Sequence, residues 1–260
     1  SMITSTANQQ IKTIIKLQKS SSFRRKQGLF IVEGIRMFRE IPKKQLEKCY
    51  VTESFLKAHE ELFAGISYEL VSETVFRDIS DTMTPQGVLA LVKQLSYTFS
   101  ELVETENTPA LLLLENVQDP GNLGTILRMA EGAGMTGVLL SKDTVDIYNS
   151  KVIRSTMGSI FRVPFLYVED VMKTAEQLTK RGIVTCAAHL GGTSFYEVDF
   201  QKPCCIFIGN EGNGLTEELT GKAQKKLVIP MMGQVESLTA ATAATVFSYE
   251  ILRQRMSKQR

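Results

Sequence analysis

Three short segments carry residue types at spacings that can do chemistry. In the first, Glu115-Asn116-Val117-Gln118-Asp119-Pro120-Gly121-Asn122-Leu123-Gly124-Thr125-Ile126-Leu127-Arg128, an apolar run ends, Asp119-Pro120-Gly121 turns, and helical spacing begins near Asn122. Backbone N–H groups at such a helix start can receive an anion. Arg128 lies six residues beyond Asn122, about one and two-thirds helical turns, and can point near the same end of a sheet. The segment also reads as a capped turn followed by a surface arginine.

The second segment is Phe207-Ile208-Gly209-Asn210-Glu211-Gly212-Asn213-Gly214-Leu215, with three glycines inside six residues. Glycines there signal positive φ or a close approach of backbone to a ligand. The spacing is not Gly-x-Gly-x-x-Gly, and no acidic residue follows a later strand as a dinucleotide site requires. Glu211 can hold a ligand or orient an arginine; a plain turn is the alternative. The third segment runs from Val228-Ile229-Pro230-Met231 through Gln234-Val235-Glu236-Ser237-Leu238-Thr239 into Ala240-Ala241-Thr242-Ala243-Ala244. Pro230 ends a strand, Glu236 or Ser237 begins a helix, and the small residues allow close packing.

These segments need a scaffold of short strands and helices. Leu111–Leu114, Gly137–Leu140, Phe165–Val168, Ile183–Ala187, Cys205–Ile208 and Leu227–Ile229 are apolar throughout. Helical patterns at Leu123–Ala133, Lys151–Met157, Val171–Arg181 and Glu236–Arg253 separate them. That alternation predicts a parallel sheet covered on both faces. Upstream, Ile11, Ile14 and Ile15 mark a helical stripe within 6–19, and Leu29–Val32 reads as a strand. Further strand-like and helix-like pieces alternate up to Val92, giving a smaller α/β module over residues 1–95. The polar, acidic stretch 96–108 before Pro109 reads as a linker, and 109–260 as the second domain.

Together the three segments resemble the signatures of the SpoU, or TrmH-like, family of RNA ribose methyltransferases. Asn122, Gly124 and Arg128 match its Asn-x-Gly-x-x-x-Arg motif, Gly209 to Gly214 its Gly-Asn-Glu-Gly-x-Gly motif, and Ile229 to Leu238 its third. Asn149-Ser150-Lys151-Val152-Ile153-Arg154 with Gly158-Ser159 resembles its intervening helix. Glu33-Gly34 and Thr84-Pro85-Gln86-Gly87-Val88 look like its ribosomal-protein-like substrate-binding domain. The resemblance implies an α/β fold whose C-terminal parallel-sheet domain carries a deep trefoil knot, and a homodimer packed through that domain. It implies S-adenosylmethionine as cofactor, held by Gly209, Ile229 and Leu238 with Ala188, His189, Leu190, Ile208, Gly214 and Met231. It implies transfer of a methyl group to a ribose 2′-hydroxyl, with Arg128 activating the hydroxyl and Asn122, Glu211 and Ser237 beside it. A guanidinium is a poor base, so Arg128 can equally hold a phosphate or stabilise alkoxide charge. Where the family motif has Asn after Ser-Leu, this chain has Thr239, which raises the alternative of an RNA-binding protein without methyl transfer. An oxidoreductase is disfavoured by the missing dinucleotide fingerprint.

Composition sets the remaining bounds. The chain has 260 residues, 43% hydrophobic and 22% charged, as ordinary globular proteins do. No apolar run is long enough for a membrane helix, Ser1–Thr4 lacks a secretory pattern, and Ser1 ahead of Met2 reads as an added residue. Residues 1–48 carry eleven Lys or Arg against three Glu, whereas 49–108 carry three against ten acidic groups. Lys12, Lys16, Lys19, Arg24, Arg25, Lys26 and Arg36, with Arg154 further on, are the candidate contacts to structured RNA, ribosomal in preference to transfer RNA. A solvated helix face is the alternative. Cys49, Cys186, Cys204 and Cys205 form no C-x-x-C pair. With only two histidines they predict buried reduced thiols, no metal site and a cytoplasmic setting. Of those histidines, His189 reads as a loop residue and His59 as a helix-surface one.

Overall fold

The computed structural model describes residues 1–235 and 237–257, which form two compact units. The first comprises Ser1–Leu95 with Tyr148–Phe161; the second comprises Ser96–Ile147 with the described residues from Arg162 onward.

Along Ser1–Leu95 run α1 (Gln9–Lys19), α2 (Ser21–Gln27), β1 (Leu29–Glu33), α3 (Ile35–Glu40), β2 (Leu46–Val51), α4 (Glu53–Ala58), β3 (Tyr68–Leu70), α5 (Glu73–Ile79) and β4 (Val88–Lys93). The sheet order is β1-β4-β2-β3, antiparallel except for the parallel β2–β3 pair. Asn8 caps α1 by accepting from the Gln10 N–H, and the buried stripe is Ile11, Ile14 and Leu17. Ile15 is only partly buried. This stripe packs with Ile31, Tyr50, Phe76 and Leu89 into the core of the unit.

The basic stretch after α1 is itself a helix. Ser20 caps α2, and Gly28, at φ 67°, closes it in the left-handed conformation that glycine adopts without strain.

The second unit starts with α6 (Phe99–Val103), β5 (Ala110–Leu114), α7 (Pro120–Ala133) and β6 (Gly137–Ser141). Helix α8 (Ser150–Thr156) then belongs to the first unit. The second unit resumes with β7 (Phe165–Val168), α9 (Val171–Lys180), β8 (Val184–Ser194), β9 (Cys204–Ile208), α10 (Glu217–Lys222), β10 (Lys225–Val228) and α11 (Ala240–Ser257). Its six strands are ordered β10-β8-β9-β5-β6-β7, all paired in parallel. Both β5 and β9 are buried at every residue, which explains their unbroken apolar sequences.

Four expectations are corrected. The stretch read as a linker carries α6, closed by a capping box between Thr98 and Glu101, with Leu102 and Val103 buried in the sheet's core. The helix expected at Lys151–Met157 within the C-terminal domain runs Ser150–Thr156 and groups with the N-terminal unit. Strand β8 does not stop at Ala187 but continues to Ser194. The final helix was expected from Glu236, which lies outside the described residues; α11 starts at Ala240.

The far end of α11 is pinned by Arg255, whose guanidinium donates to the carbonyls of Thr108 (2.7 Å), Pro109 (3.0 Å), Phe200 (3.0 Å) and Lys202 (3.2 Å). The four cysteines are free and buried. Burial pushes the Cys49 and Cys186 thiols up to about 12 and Cys204 to about 11, so they stay protonated and unreactive.

Candidate active site

In a parallel sheet, ligands bind beyond the carboxyl ends of strands where the order reverses. Here β5 lies between β6, which follows it in sequence, and β9, which comes much later. The turn after β5 and the glycine-rich loop after β9 therefore leave from neighbouring strand ends.

A cavity of about 350 Å³ opens beside β8 and beyond the ends of β9 and β10, within the range of small-molecule sites. Strand β8 supplies Ala188, His189 and Leu190; the β9 end supplies Ile208, Gly209 and Gly214; the chain after β10 supplies Ile229, Met231 and Leu238. All nine residues assigned to the cofactor from sequence thus share one wall-to-wall space, and Glu211 and Ser237 line it too. Sequence reasoning missed Ala240, Ala243 and Phe247 of α11, which also line it. Their i, i+3, i+7 spacing on one helix face was the available signal.

The glycine-rich loop is shaped by close backbone approach. A Cβ on Gly209 would lie 2.2 Å from the Gly214 carbonyl carbon and the Leu215 nitrogen. Asn210 and Gly214 exchange backbone hydrogen bonds (3.1 and 2.9 Å), and the Asn210 Oδ1 accepts from the N–H groups of Gly212 and Asn213. The result is a cradle of main-chain groups and small side chains beside an apolar wall. That donor set suits a nucleoside-sized cofactor gripped through its edges by backbone groups, as S-adenosylmethionine would be.

The helix start of the first motif has an anion partner, and it comes from the chain itself. The Glu211 carboxylate accepts from the N–H groups of Gln118 (3.1 Å) and Asp119 (2.9 Å), with the Asn122 side chain close by. Asp119 caps α7 by accepting from the Asn122 N–H at 2.9 Å. Burial pushes the Glu211 carboxyl up, but these hydrogen bonds outweigh it and hold it below the ordinary range. Arg128 is exposed on α7 and is not part of the cavity wall; Asn122 reaches the site through Glu211.

His189 is exposed, and its Nδ1 accepts from the Gly191 N–H at 3.0 Å. The departure from the motif, Thr239, caps α11: its hydroxyl accepts from the Thr242 N–H at 3.2 Å and lies 2.8 Å from the Thr242 hydroxyl. Asparagine and threonine both serve at such a position, so the substitution preserves the helix start. Among the described residues no cluster of His, Cys, Asp or Glu could hold a metal ion.

In the first unit Lys12, Lys16 and Lys19 are exposed on α1, Arg25 and Lys26 on α2, and Arg36 on α3. Arg24 is not available to a phosphate. It is 5% exposed, and its guanidinium donates to the carbonyls of Leu17 (2.8 Å) and Gln18 (3.2 Å), tying α2 onto the end of α1. A buried guanidinium must spend its donors internally. Arg154 is exposed but ion-paired with Asp81.

Residues 109–249 match the model of the SpoU rRNA methylase family, and residues 8–90 that of the MRM3-like substrate binding domain. The chain belongs to the SpoU rRNA methylase family. It is 31% identical to the 23S rRNA (guanosine(2553)-2′-O)-methyltransferase of Bacillus subtilis, over 96% of this chain and 98% of that protein. Among solved structures, the SpoU methyltransferase AviRb from Streptomyces viridochromogenes superposes with a TM-score of 0.85 at 26% identity, covering 96% of this chain and 99% of that one. An AdoMet-bound rRNA methyltransferase from Sinorhizobium meliloti gives 0.82 at 26% identity, covering 97% of each chain.

Proposed function

We propose that this protein is an S-adenosylmethionine-dependent RNA methyltransferase acting on a ribose 2′-hydroxyl. The observation that carries the reading is the convergence of three separate segments, β8, the loop after β9 and the chain after β10, on one cavity beside Glu211. A relative matched over 96% of this chain is named as a 23S rRNA 2′-O-methyltransferase, and a structural neighbour is AdoMet-bound.

When bound, S-adenosylmethionine supplies an electrophilic methyl group on its sulfonium. The chain's contribution is to bind, orient and place charge. Apolar Leu190, Ile208 and Leu238 and the main chain of Gly209–Gly214 grip the cofactor and exclude water. Glu211 and Asn122 fix the first turn of α7 and thereby the helix that carries Arg128. Arg128 carries a guanidinium, a fork of donors and a poor base; its role is to stabilise charge developing on the 2′-oxygen or to hold the adjacent phosphate. Ser237 stands at the mouth beside the ribose.

The finer points of this reading are the trefoil knot in the second unit, a homodimer packed through that unit, ribosomal RNA as substrate and a cytoplasmic location. Exposed Val235, Tyr249 and Met256 are apolar groups suited to a subunit contact, and the position of Arg128 off the cavity suits a site completed by a second copy. The exposed cations of α1, α2 and α3 supply the phosphate-binding face. Free buried thiols suit a reducing compartment.

The test is transfer of radiolabelled methyl from S-adenosylmethionine to total RNA of a strain lacking the protein, comparing wild type with Arg128→Ala. Incorporation at a 2′-oxygen that depends on Arg128 supports the assignment. Cofactor binding with no incorporation into rRNA, tRNA or partly assembled subunits would replace it with the non-catalytic RNA binder.

A further inference from the structure

The buried carboxylate of Glu115 has no part in the site so far described. It follows β5 directly, is 7% exposed and does not line the cavity. Its Oε1 accepts from the Thr216 N–H at 2.8 Å and its Oε2 from the Thr216 hydroxyl at 2.9 Å. Thr216 is the residue that caps α10, accepting from the Leu219 N–H at 3.2 Å, and it follows the cavity-lining Leu215.

This contact is the last of three ties between the same two segments. Asn116, held at φ 54° just after Glu115, offers its carbonyl to the Asn210 side chain at 2.7 Å. Glu211 in the middle of the loop is tied to Gln118 and Asp119. Thr216 at the exit is tied to Glu115. A wall made largely of glycine main chain has few side chains of its own to hold its shape, so its form is set by what fastens its ends. Burying a carboxylate is costly unless it is fully hydrogen-bonded, and an apolar residue would serve plain stability as well.

We propose that Glu115 is a positioning residue for the cofactor, acting through Thr216 to fix the exit of the Gly209–Gly214 loop. The inference rests on the reading of the cavity as the S-adenosylmethionine site.

The experiment follows two readouts on the full chain: deuterium exchange of the 210–216 amides without any ligand, and S-adenosylmethionine affinity by calorimetry. Glu115→Leu, which removes both acceptors, should speed exchange in this segment and weaken cofactor binding about tenfold, the equivalent of one buried charged hydrogen bond. Its KM for the cofactor should rise while kcat at saturating cofactor changes much less. Thr216→Ser should behave as wild type, and Thr216→Val should fall between. Should Glu115→Leu not fold, Thr216→Val carries the same readouts. Unchanged exchange in folded variants overturns the tie, and faster exchange with unaltered affinity overturns the role in cofactor binding. A wild type that does not bind S-adenosylmethionine overturns the reading of the cavity and this inference with it, while exchange still reports on the tie separately.

Discussion

The carboxylate of Glu211 accepts from the Asp119 N–H at 2.9 Å, joining the start of α7 to the glycine-rich loop after β9. The Gln118 N–H completes the group, and the Asn122 side chain lies beside it, so residues from two of the three motifs meet here. The helix start satisfies its own anion-binding capacity from within the chain, and the loop gains an anchor that does not depend on ligand.

Asn122→Asp tests this junction. It sets a second carboxylate beside Glu211 in place of a neutral amide, so like charges repel across the junction. The maximal rate of methyl transfer should fall by about tenfold or more, the scale of a weakened hydrogen bond to a charged group. Single-turnover rates at saturating cofactor measure it, and an unaltered rate would show that the junction is dispensable.

The Glu211 carboxyl also sets a pH dependence. Its folded-state pKa lies below the ordinary 4.5 because the hydrogen bonds exceed the opposing effect of burial. The unfolded chain therefore takes up the proton first as pH falls. The stabilisation is complete above the unfolded value and is lost as pH drops through the folded one. The melting-temperature difference between wild type and Glu211→Gln should be largest near neutrality and shrink below the ordinary glutamate value. A difference that is flat across this range would contradict the assignment.

Arg128 stands on α7 outside the cavity wall. Arg128→Ala should therefore leave S-adenosylmethionine affinity unchanged while lowering kcat by about 10²- to 10³-fold, the usual loss on removing one group that stabilises transition-state charge. Calorimetry and initial rates on the same preparation separate the two. A matched loss of cofactor affinity would move Arg128 into the binding site.

The basic face of the first unit divides into two kinds of residue. Arg25→Glu with Lys26→Glu should weaken RNA binding and flatten its salt dependence by about one unit of slope per lost phosphate contact, with the fold intact. Arg24→Met should instead destabilise the unit by about 2 kcal/mol, since it removes charged hydrogen bonds to buried carbonyls. Salt titrations of RNA affinity and thermal melts distinguish them. Equal RNA losses in a stable Arg24→Met protein would return Arg24 to the binding face.

Sequence and structure agree best where a local pattern dictates the outcome. The uniformly apolar Leu111–Leu114 and Cys205–Ile208 had to be central strands, and the glycines at 209 and 214 had to permit a tight loop. The cavity residues could be named in advance because motif resemblance groups distant segments that no local spacing connects. What stayed hidden depends on tertiary partners. Arg24 looks like its neighbour Arg25 in sequence, and only the fold turns its guanidinium inward to the Leu17 carbonyl. Helix α6 is too short and polar to show periodicity, yet Leu102 and Val103 bury completely enough to make it part of the core. The extension of β8 past Ala187 is set by pairing with β10, which shifts register between Lys226 and Leu227. The Glu115–Thr216 tie spans residues far apart in the chain.

Thr239 marks the one clear departure from the family motif, and its geometry predicts what reverting it would do. Its hydroxyl accepts from the Thr242 N–H and so satisfies one of the free donors at the start of α11, the helix that supplies Ala240, Ala243 and Phe247 to the cavity. Thr239→Ala removes that cap and should cost about 1 kcal/mol of stability, with cofactor affinity falling as the helix start loosens. Thr239→Asn keeps an acceptor in the same place and should leave stability, cofactor affinity and methyl transfer close to wild type. Thermal melts, calorimetry and initial rates on the three proteins decide the matter. A large gain of activity in Thr239→Asn, at unchanged stability, would mean that an amide at this position does more than cap the helix, and that the native threonine holds the enzyme below the rate its site could reach.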